Sequence, residues 1–526
     1  MLKRFLIKPD CWFVLAILAF ITLSTGAARA QEPSPFANCR LGVGGTTADL
    51  GDFDLGQLNM GLYLDWASRS NPALSIGLPA EVEYIQTVRV HQDKVAGWDS
   101  AYVDPPTYTV SPNLATLASR VAASPPGSIW RIGNEIERRD WYNGGQDEIT
   151  PELYATAFHE TRAVIKAADP TARVAIGSVI EATPLRLAYL DRVWASYFNQ
   201  YGYSMGNDID VYIVHGFLLR EIRNSWGAEI PAGFDNSDAD PNNNYDPTTG
   251  FLYGVAESSP VIVQEHHNIA HFIEFTTAFR AWLAAKGERN KPLINTEFGV
   301  LYDGFNGESI TPQEVNAYMD AAFDYLFTAA DPNTGYPADE NRLVQGWVWY
   351  SLDDVNWNGY LFGSGAALSS FGENWRAYVS NAANPLASQP RQNLLVTHLS
   401  AEPNPAHILV GDSTTIRLKA DIANSGNTPT STGNNILVSF WDGDPSDPGS
   451  NQIGSSQILP DIQGCGRFST VEVEWQRGAG TFDWYVKVEP VGAETNVNDN
   501  VASSTVSVIQ GPPVAADEIY LPVVQK

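Results

Sequence analysis

Two glutamates far apart in the chain, Glu135 and Glu297, each close an apolar run. Ser128-Ile129-Trp130-Arg131-Ile132-Gly133-Asn134 leads into the first, and Pro292-Leu293-Ile294-Asn295-Thr296 into the second. A buried strand has no reason to finish on a carboxylate unless the acid stands at a rim facing a cleft. Two carboxylates facing one site have the chemistry to break a glycosidic bond. One protonates the leaving oxygen, and the other attacks the anomeric carbon or activates water. Asn134, beside Glu135, supplies an amide for a sugar hydroxyl, and Trp349 a flat ring for a sugar face. His215 and Arg89 also end apolar runs, and Arg89 can hold a carboxylate near the site. His267 and His271 have the i, i+4 spacing of a zinc helix, but position 268 is Asn where the catalytic Glu of that motif would stand. No metal and no cofactor is expected.

A fold that brings Glu135 and Glu297 together must place their strands opposite each other. Eight short, continuous apolar runs, at 40–44, 61–66, 84–90, 128–133, 173–180, 211–215, 292–296 and 344–350, are bounded by Gly, Pro or Asn, as strands buried on both faces are. Amphipathic stretches follow the later ones, at 151–168, 184–201, 266–286 and 312–329, with Pro at the first helical position of three. The Thr311-Pro312-Gln313-Glu314 start suits capping. The first two helices are poorly marked. The pattern predicts an α/β fold, a (β/α)8 TIM barrel with long loops. An open doubly wound sheet is the alternative, of which Gly42-Val43-Gly44-Gly45 is a weak echo. In a barrel the site lies at the carboxyl ends of the strands, where Glu135 and Glu297 fall after the fourth and seventh.

Other stretches set the context. In this 526-residue chain Lys3, Arg4 and Lys8 precede an apolar run ending at Leu23, and Ala28-Arg29-Ala30 reads as a cleavage site. Residues 1–30 are therefore expected to be a signal peptide, with a mature start near Gln31 and a secreted product. The remainder has 28 basic against 59 acidic residues, a net charge of −31, which disfavours nucleic acid and anionic membrane surfaces and suits a neutral substrate. No other segment is expected to enter a membrane. Its two cysteines, Cys39 and Cys465, fall in different expected domains and read as unpaired buried thiols. The long stretch 217–264 holds an acidic, Asn-rich run at 234–242, read as a solvated turn rather than a calcium loop. Residues 31–383 form the expected barrel and 384–393 a polar linker. From 394 to 508 apolar and polar residues alternate between recurrent turns, predicting an all-β, Ig-like sandwich, with 509–526 a tail.

Gly133-Asn134-Glu135, Thr296-Glu297-Phe298-Gly299 and Val348-Trp349-Tyr350-Ser351 together resemble the clan of retaining (β/α)8-barrel glycoside hydrolases, over about residues 38–383. The resemblance implies that Glu135 is the acid/base and Glu297 the nucleophile, with carboxyls ~5–5.5 Å apart. For that chemistry Glu135 needs a raised pKa while Glu297 stays ionised. Many members of the clan carry His-x-Tyr after the sixth strand, the Tyr bonded to the nucleophile. This chain has His215-Gly216-Phe217, so another phenol, Tyr302 or Tyr350, would have to serve. Ala423-Asn424-Ser425-Gly426, Asp442-Gly443-Asp444 and Asn496-Val497-Asn498-Asp499-Asn500 resemble the CARDB group of adhesion-type sandwiches, which implies an accessory module able to contact a polysaccharide or cell surface. The resulting expectation is a secreted retaining glycoside hydrolase acting on an oligo- or polysaccharide. A non-catalytic carbohydrate-binding or adhesion protein and a transglycosylase using the same residues are the rivals.

Overall fold

The computed structural model describes residues 36–47, 49–219, 221, 227–234, 266–301, 304–305, 308–430, 435–490, 492–494 and 496–511. The signal-peptide stretch, the run 235–242, Tyr302, Trp226 and the C-terminal tail beyond 511 lie outside the described residues.

Eight parallel strands make the first unit: β1 (Asn38–Gly44), β2 (Met60–Leu64), β3 (Gln86–Gln92), β4 (Ile129–Ile132), β5 (Arg173–Ile176), β6 (Tyr212–His215), β7 (Leu293–Phe298) and β8 (Gly346–Tyr350). β8 pairs with β1, β1 with β2, and β2 with Glu83–Tyr84, a short piece leading into β3. β3 pairs with β4 and β4 with β5. A parallel bridge from Ala175 to Val211 joins β5 to β6, and β6, β7 and β8 complete the circle. The ring is the expected (β/α)8 barrel, not an open sheet. Helices α1 (Leu114–Ala123), α2 (Pro151–Ala168), α3 (Pro184–Tyr201), α4 (Ile269–Ala285), α5 (Pro312–Thr328) and α6 (Ser370–Ser380) pack around it. α5 opens on the expected capping box, with Thr311 and Glu314 exchanging bonds. The early connection that carried little helical signal holds only the five residues Pro72–Ile76.

Strand parity divides the core. Leu62, Leu64, Ile85, Ile129, Ile213, Ile294 and Val348 fill the barrel interior, while Tyr63, Trp130, Tyr212, Val214, Leu293, Trp347 and Trp349 face the helical layer. Above Ile129 on the same interior face stands Arg131, which donates to Thr87 Oγ1 at 2.9 Å. The interior thus changes from an apolar floor to a polar layer just under the mouth.

The second unit is a β-sandwich. β9 (Leu394–Glu402), β11 (Thr414–Asn424) and β14 (Arg467–Arg477) make one sheet; β10 (Ala406–Ile408), β12 (Ile436–Asp442), β13 (Asn451–Leu459), β15 (Gly480–Val488) and β16 (Val501–Gln510) make the other. Ile416, Leu418, Ile422, Phe440, Trp484 and Val486 pack between them.

The cysteines are a correction. Cys39 and Cys465 are bonded to each other across 426 residues, with Cα atoms 6.1 Å apart. The expectation of unpaired thiols rested on their lying in different domains, and the bond crosses the interface between them. The sandwich sits under the amino ends of the barrel strands, so the start of β1 meets the turn before β14. Arg40 clamps Asp339 with both guanidinium nitrogens, at 2.7 and 2.6 Å, and donates to the Ser425 carbonyl at 2.9 Å. Tyr336 and Ala338 share a small core with Leu395 and Ala423. The stretch expected as a linker contains a short helix, Pro385–Ser388; the carbonyls of Leu386 within it and of Gln389 just after it accept from Asn427 at 2.9 Å. A cavity of about 960 Å³ remains between the barrel floor and the sandwich, touching residues at the amino ends of the strands, such as Gly61, Ile129, Arg173 and Ile294.

Arg40 and Asp339 are both buried, and removing the Arg40 guanidinium leaves Asp339 with Arg342, at 3.1 Å and partly exposed, as its cation. Arg40→Met should destabilise the protein by roughly 3–5 kcal/mol, read as a lower midpoint in thermal unfolding with the disulfide intact. An unchanged midpoint would show that the clamp is neutral.

Candidate active site

The turn after β4 is forced by backbone geometry. Gly133 has φ +101°, and a Cβ there would stand 2.3 Å from Ile136 Cγ2. Glu135 itself lies in the left-handed region at φ +49°. Asp147 holds the turn from below: its Oδ2 accepts from the Asn134 N–H at 2.8 Å and the Val90 N–H at 3.1 Å. Arg89 donates to the other oxygen of Asp147 at 2.7 Å, and His91 lies 3.1 Å from it. Arg89 therefore reaches the site through Asp147. The Asn134 amide donates to the Gly145 carbonyl at 3.1 Å, and its buried Oδ1 has no partner among the described residues.

Glu297 reaches the mouth through a bulge. Along β7 Ile294 faces the interior, so strict alternation would turn position 297 outward. The pairing slips by one residue on both sides. Val214 and His215 of β6 face Asn295 and Glu297, and Trp347 and Trp349 of β8 face Asn295 and Phe298. The extra residue turns Glu297 inward and leaves Phe298 against Phe272, Phe323 and Trp349 in the outer layer.

His215 then stands between the two acids. Its Nδ1 is 3.2 Å from Glu135 Oε1 and its Nε2 is 3.2 Å from Glu297 Oε1. One ligand atom from each of the three residues lies within 4.8 Å of the others. Glu135 Oε2 accepts from Arg138 at 2.7 Å, and Glu297 Oε1 from the Trp66 indole N–H at 2.5 Å, with Arg131 Nη1 3.7 Å away. All three site residues are buried. A Glu-His-Glu set is capable of holding a divalent ion, but the Arg131 guanidinium already supplies positive charge to that face of the site. Arg131 is fully buried, and burial lowers its pKa.

The two carboxyls are pushed opposite ways. Burial acts to raise the Glu135 pKa, but Arg138 and His215 outweigh it and hold the group down to about 2. Burial raises the pKa of Glu297, and His215 and Arg131 offset this only in part, while the Glu135 charge adds to it. This order is the reverse of the one expected for an acid Glu135 and an ionised Glu297. The cause is Arg138, three residues along the same turn, which gives Glu135 an ion pair closer than any cation near Glu297.

Three other expectations meet the structure here. Trp349 is not at the surface of the mouth: its ring is fully buried beside Phe298 and Phe323, and its indole donates to the Gly359 carbonyl at 2.8 Å. Parity places Val348 inside the barrel and Trp349 outside, so Tyr350 is the β8 aromatic at the mouth, against Trp66 and Phe217. The Tyr350 hydroxyl donates to Asp354 at 2.5 Å, so it does not take the part of the missing Tyr at position 217; Tyr302 lies outside the described residues. Trp66, Arg131 and His215 surround Glu297 instead. Trp66 went unnoticed in the sequence. Arg131 was given no role in the site, although two-residue spacing from Ile129 puts it on the interior face.

Next to the site, Arg186 gathers three buried acids from the segments after β4, β5 and β6. It pairs with Glu137 at 3.3 Å and with Glu221, while its Nη2 donates to the Ala228 and Glu229 carbonyls. Glu181 accepts from the Leu219 N–H at 2.9 Å; burial, together with the Glu221 charge, raises its pKa well above the usual range. One guanidinium thus ties down the described part of the connection after β6.

The opposed shifts predict opposed stability effects. A depressed folded pKa contributes stability that is present above the unfolded value of ~4.3 and is lost as pH falls toward 2. Glu135→Gln should therefore cost most near neutrality and progressively less below pH ~4. A raised folded pKa favours the native state below the unfolded value and is a liability once the buried acid must ionise. Glu297→Gln should gain stability relative to the parent as pH rises above ~5. Thermal unfolding of both variants between pH 3 and 8 checks this, and parallel curves would refute it.

Comparison with known proteins gives no matching family model and no matching curated protein. Among solved structures, the chain is similar to a GH128 (subgroup I) endo-β-1,3-glucanase from Amycolatopsis mediterranei in complex with laminaritriose, at 15% identity and TM-score 0.37, over 64% of this chain and 98% of that one. It is similar to a modular endo-β-1,4-mannanase of glycoside hydrolase family 26 from Cellulomonas fimi, at 13% identity and TM-score 0.36, over 90% and 94%. A CARDB domain from Pyrococcus furiosus in complex with di-metal ions matches 24% of this chain over 99% of its own length, at 16% identity and TM-score 0.19.

Proposed function

We propose that the protein is a retaining glycoside hydrolase that cleaves O-glycosidic bonds in an oligo- or polysaccharide. The observation that carries this reading is the approach of Glu135 and Glu297, which share His215 with ligand atoms within 4.8 Å of one another. A pair this close suits direct attack by one carboxylate. An inverting pair stands ~6.5–9.5 Å apart to admit a water.

In the first step Glu297 attacks the anomeric carbon, the bond from that carbon to the leaving oxygen breaks, and Glu135 gives its proton to that oxygen. A glycosyl ester on Glu297 results. In the second step Glu135 takes a proton from water, the water oxygen attacks the anomeric carbon, and the ester bond breaks to release Glu297. Arg138 and His215 favour a charged Glu135, so a proton has to reach it before the first step. His215, with a ring nitrogen 3.2 Å from each acid, is the route between them. Trp66 and Arg131 hold Glu297 in place through its Oε1. Asn134 Oδ1 is an acceptor for a sugar hydroxyl. We place the mature protein outside the cell, released at about Gln31, with the sandwich as an accessory module.

Glu297→Gln should remove turnover of a panel of aryl glycosides and polysaccharides by orders of magnitude while polysaccharide binding persists; unchanged turnover overturns the assignment. Glu135→Gln should cost roughly 10²–10⁴-fold on substrates with poor leaving groups. It should cost far less on dinitrophenyl glycosides, whose leaving phenol needs no proton. Equal losses on both would remove Glu135 from the acid role.

A further inference from the structure

Beside the catalytic turn, three aromatic rings from two loops meet. Trp98 comes from the loop after β3, and Trp141 and Tyr142 from the loop after β4. Ring centroids are 5.5 Å apart for Trp98 and Trp141 and 4.6 Å for Trp98 and Tyr142. The Arg139 guanidinium lies over Trp141 at 4.6 Å and over Trp98 at 5.3 Å. Tyr142 is 70% exposed, and both tryptophans are half-buried. Simple packing would turn these rings inward, as it does for Trp130, Trp347 and Trp375 elsewhere in the barrel. Tyr142 is instead held outward by a left-handed backbone, φ +57°, repeated at Asn143.

The ledge is fixed to the catalytic turn through a chain of bonds. Lys94 holds the Trp98 carbonyl and pairs with Glu148 at 2.7 Å, and Glu148 accepts from the Asp140 N–H at 2.8 Å. Asp140 in turn accepts from the Gly145 N–H at 3.1 Å, and the Gly145 carbonyl accepts the Asn134 amide. The rings therefore keep a set position relative to Glu135.

We propose that Trp98, Trp141 and Tyr142 form a sugar-stacking subsite for pyranose units beyond the two joined by the cleaved bond. This rests on the glycoside hydrolase reading above and deepens it. The substrate is then a chain of several sugars, not a disaccharide or a small glycoside. A pyranose ring presents a face of C–H groups to an aromatic ring and hydroxyls at its rim, which matches flat rings bordered by the Arg139 guanidinium. Aromatic stacking is sequence-tolerant along a repeating polymer, so the ledge gives grip on the chain and leaves choice of the cleaved bond to the mouth.

The test compares Trp98→Ala, Tyr142→Ala and their double variant with the parent on polymers and on small glycosides. The probes are soluble β-1,3-glucan, β-1,4-mannan and β-1,4-xylan, with the matching p-nitrophenyl glycosides. Each truncation should reduce kcat/KM on the polymer that is turned over by roughly tenfold more than on the aryl glycoside, carried by KM and not kcat. Trp98→Phe and Tyr142→Phe should restore most of it. Equal loss on both substrate classes, or no loss on the polymer, overturns the subsite. If the parent hydrolyses none of the probes, the hydrolase reading fails separately. Affinity electrophoresis in gels holding each polysaccharide then decides the ledge: retardation of the parent that the double variant loses supports it, and identical mobility refutes it.

Discussion

Two carboxylates a few ångströms apart in a buried mouth repel each other and lose hydration together, so neither can stay there without compensation. His215 between them is the interaction on which the rest of the site depends. Its two ring nitrogens serve both acids at once, and the cations on either side divide the pair. Arg138 settles Glu135 as an anion, while Arg131 stands farther from Glu297 and leaves burial dominant. The opposed shifts of the two acids follow from these distances together with burial. In the proposed reaction His215, in contact with both groups, is the imidazole that links them.

The barrel sets those distances through its floor. An apolar layer from Leu62 to Val348 fixes the lower interior, and Arg131 rises from it beside Thr87, Thr296 and the site. A buried guanidinium is costly without such partners, so the polar layer, the bulge in β7 and the inward Glu297 form one arrangement. At the opposite end the sandwich is locked under the barrel by the Cys39–Cys465 bond and by Asp339, which accepts from Arg40, Arg342 and Gln345. The barrel floor is thus braced by a second unit while the mouth is left to its loops.

Legibility followed the range of the forces involved. Strands show in sequence because burial on both faces leaves an unbroken apolar run, and seven of the eight barrel strands needed nothing more than adjusted ends. The third was harder, since the chain pauses at Ile85 between Glu83–Tyr84 and β3. His215 was readable for the same reason: two-residue alternation carries it inward from Ile213. Trp349 was misread because aromatic character was weighed without parity, and the same alternation that serves His215 sends Trp349 outward. The cysteines were misread because a disulfide closing 426 residues depends on docking between units, which no local pattern encodes.

The sequence by itself determined the barrel and the sandwich and pointed to Glu135 and Glu297, because these readings rest on local periodicity and on the oddity of an acid ending an apolar strand. Tertiary structure alone decided which way Glu297 points, which group supports it and which acid is charged. A one-residue bulge reverses a side chain without altering composition. A pKa depends on whatever lies within a few ångströms, and the Trp66, Arg131 and His215 that surround Glu297 come from three different strands or their ends.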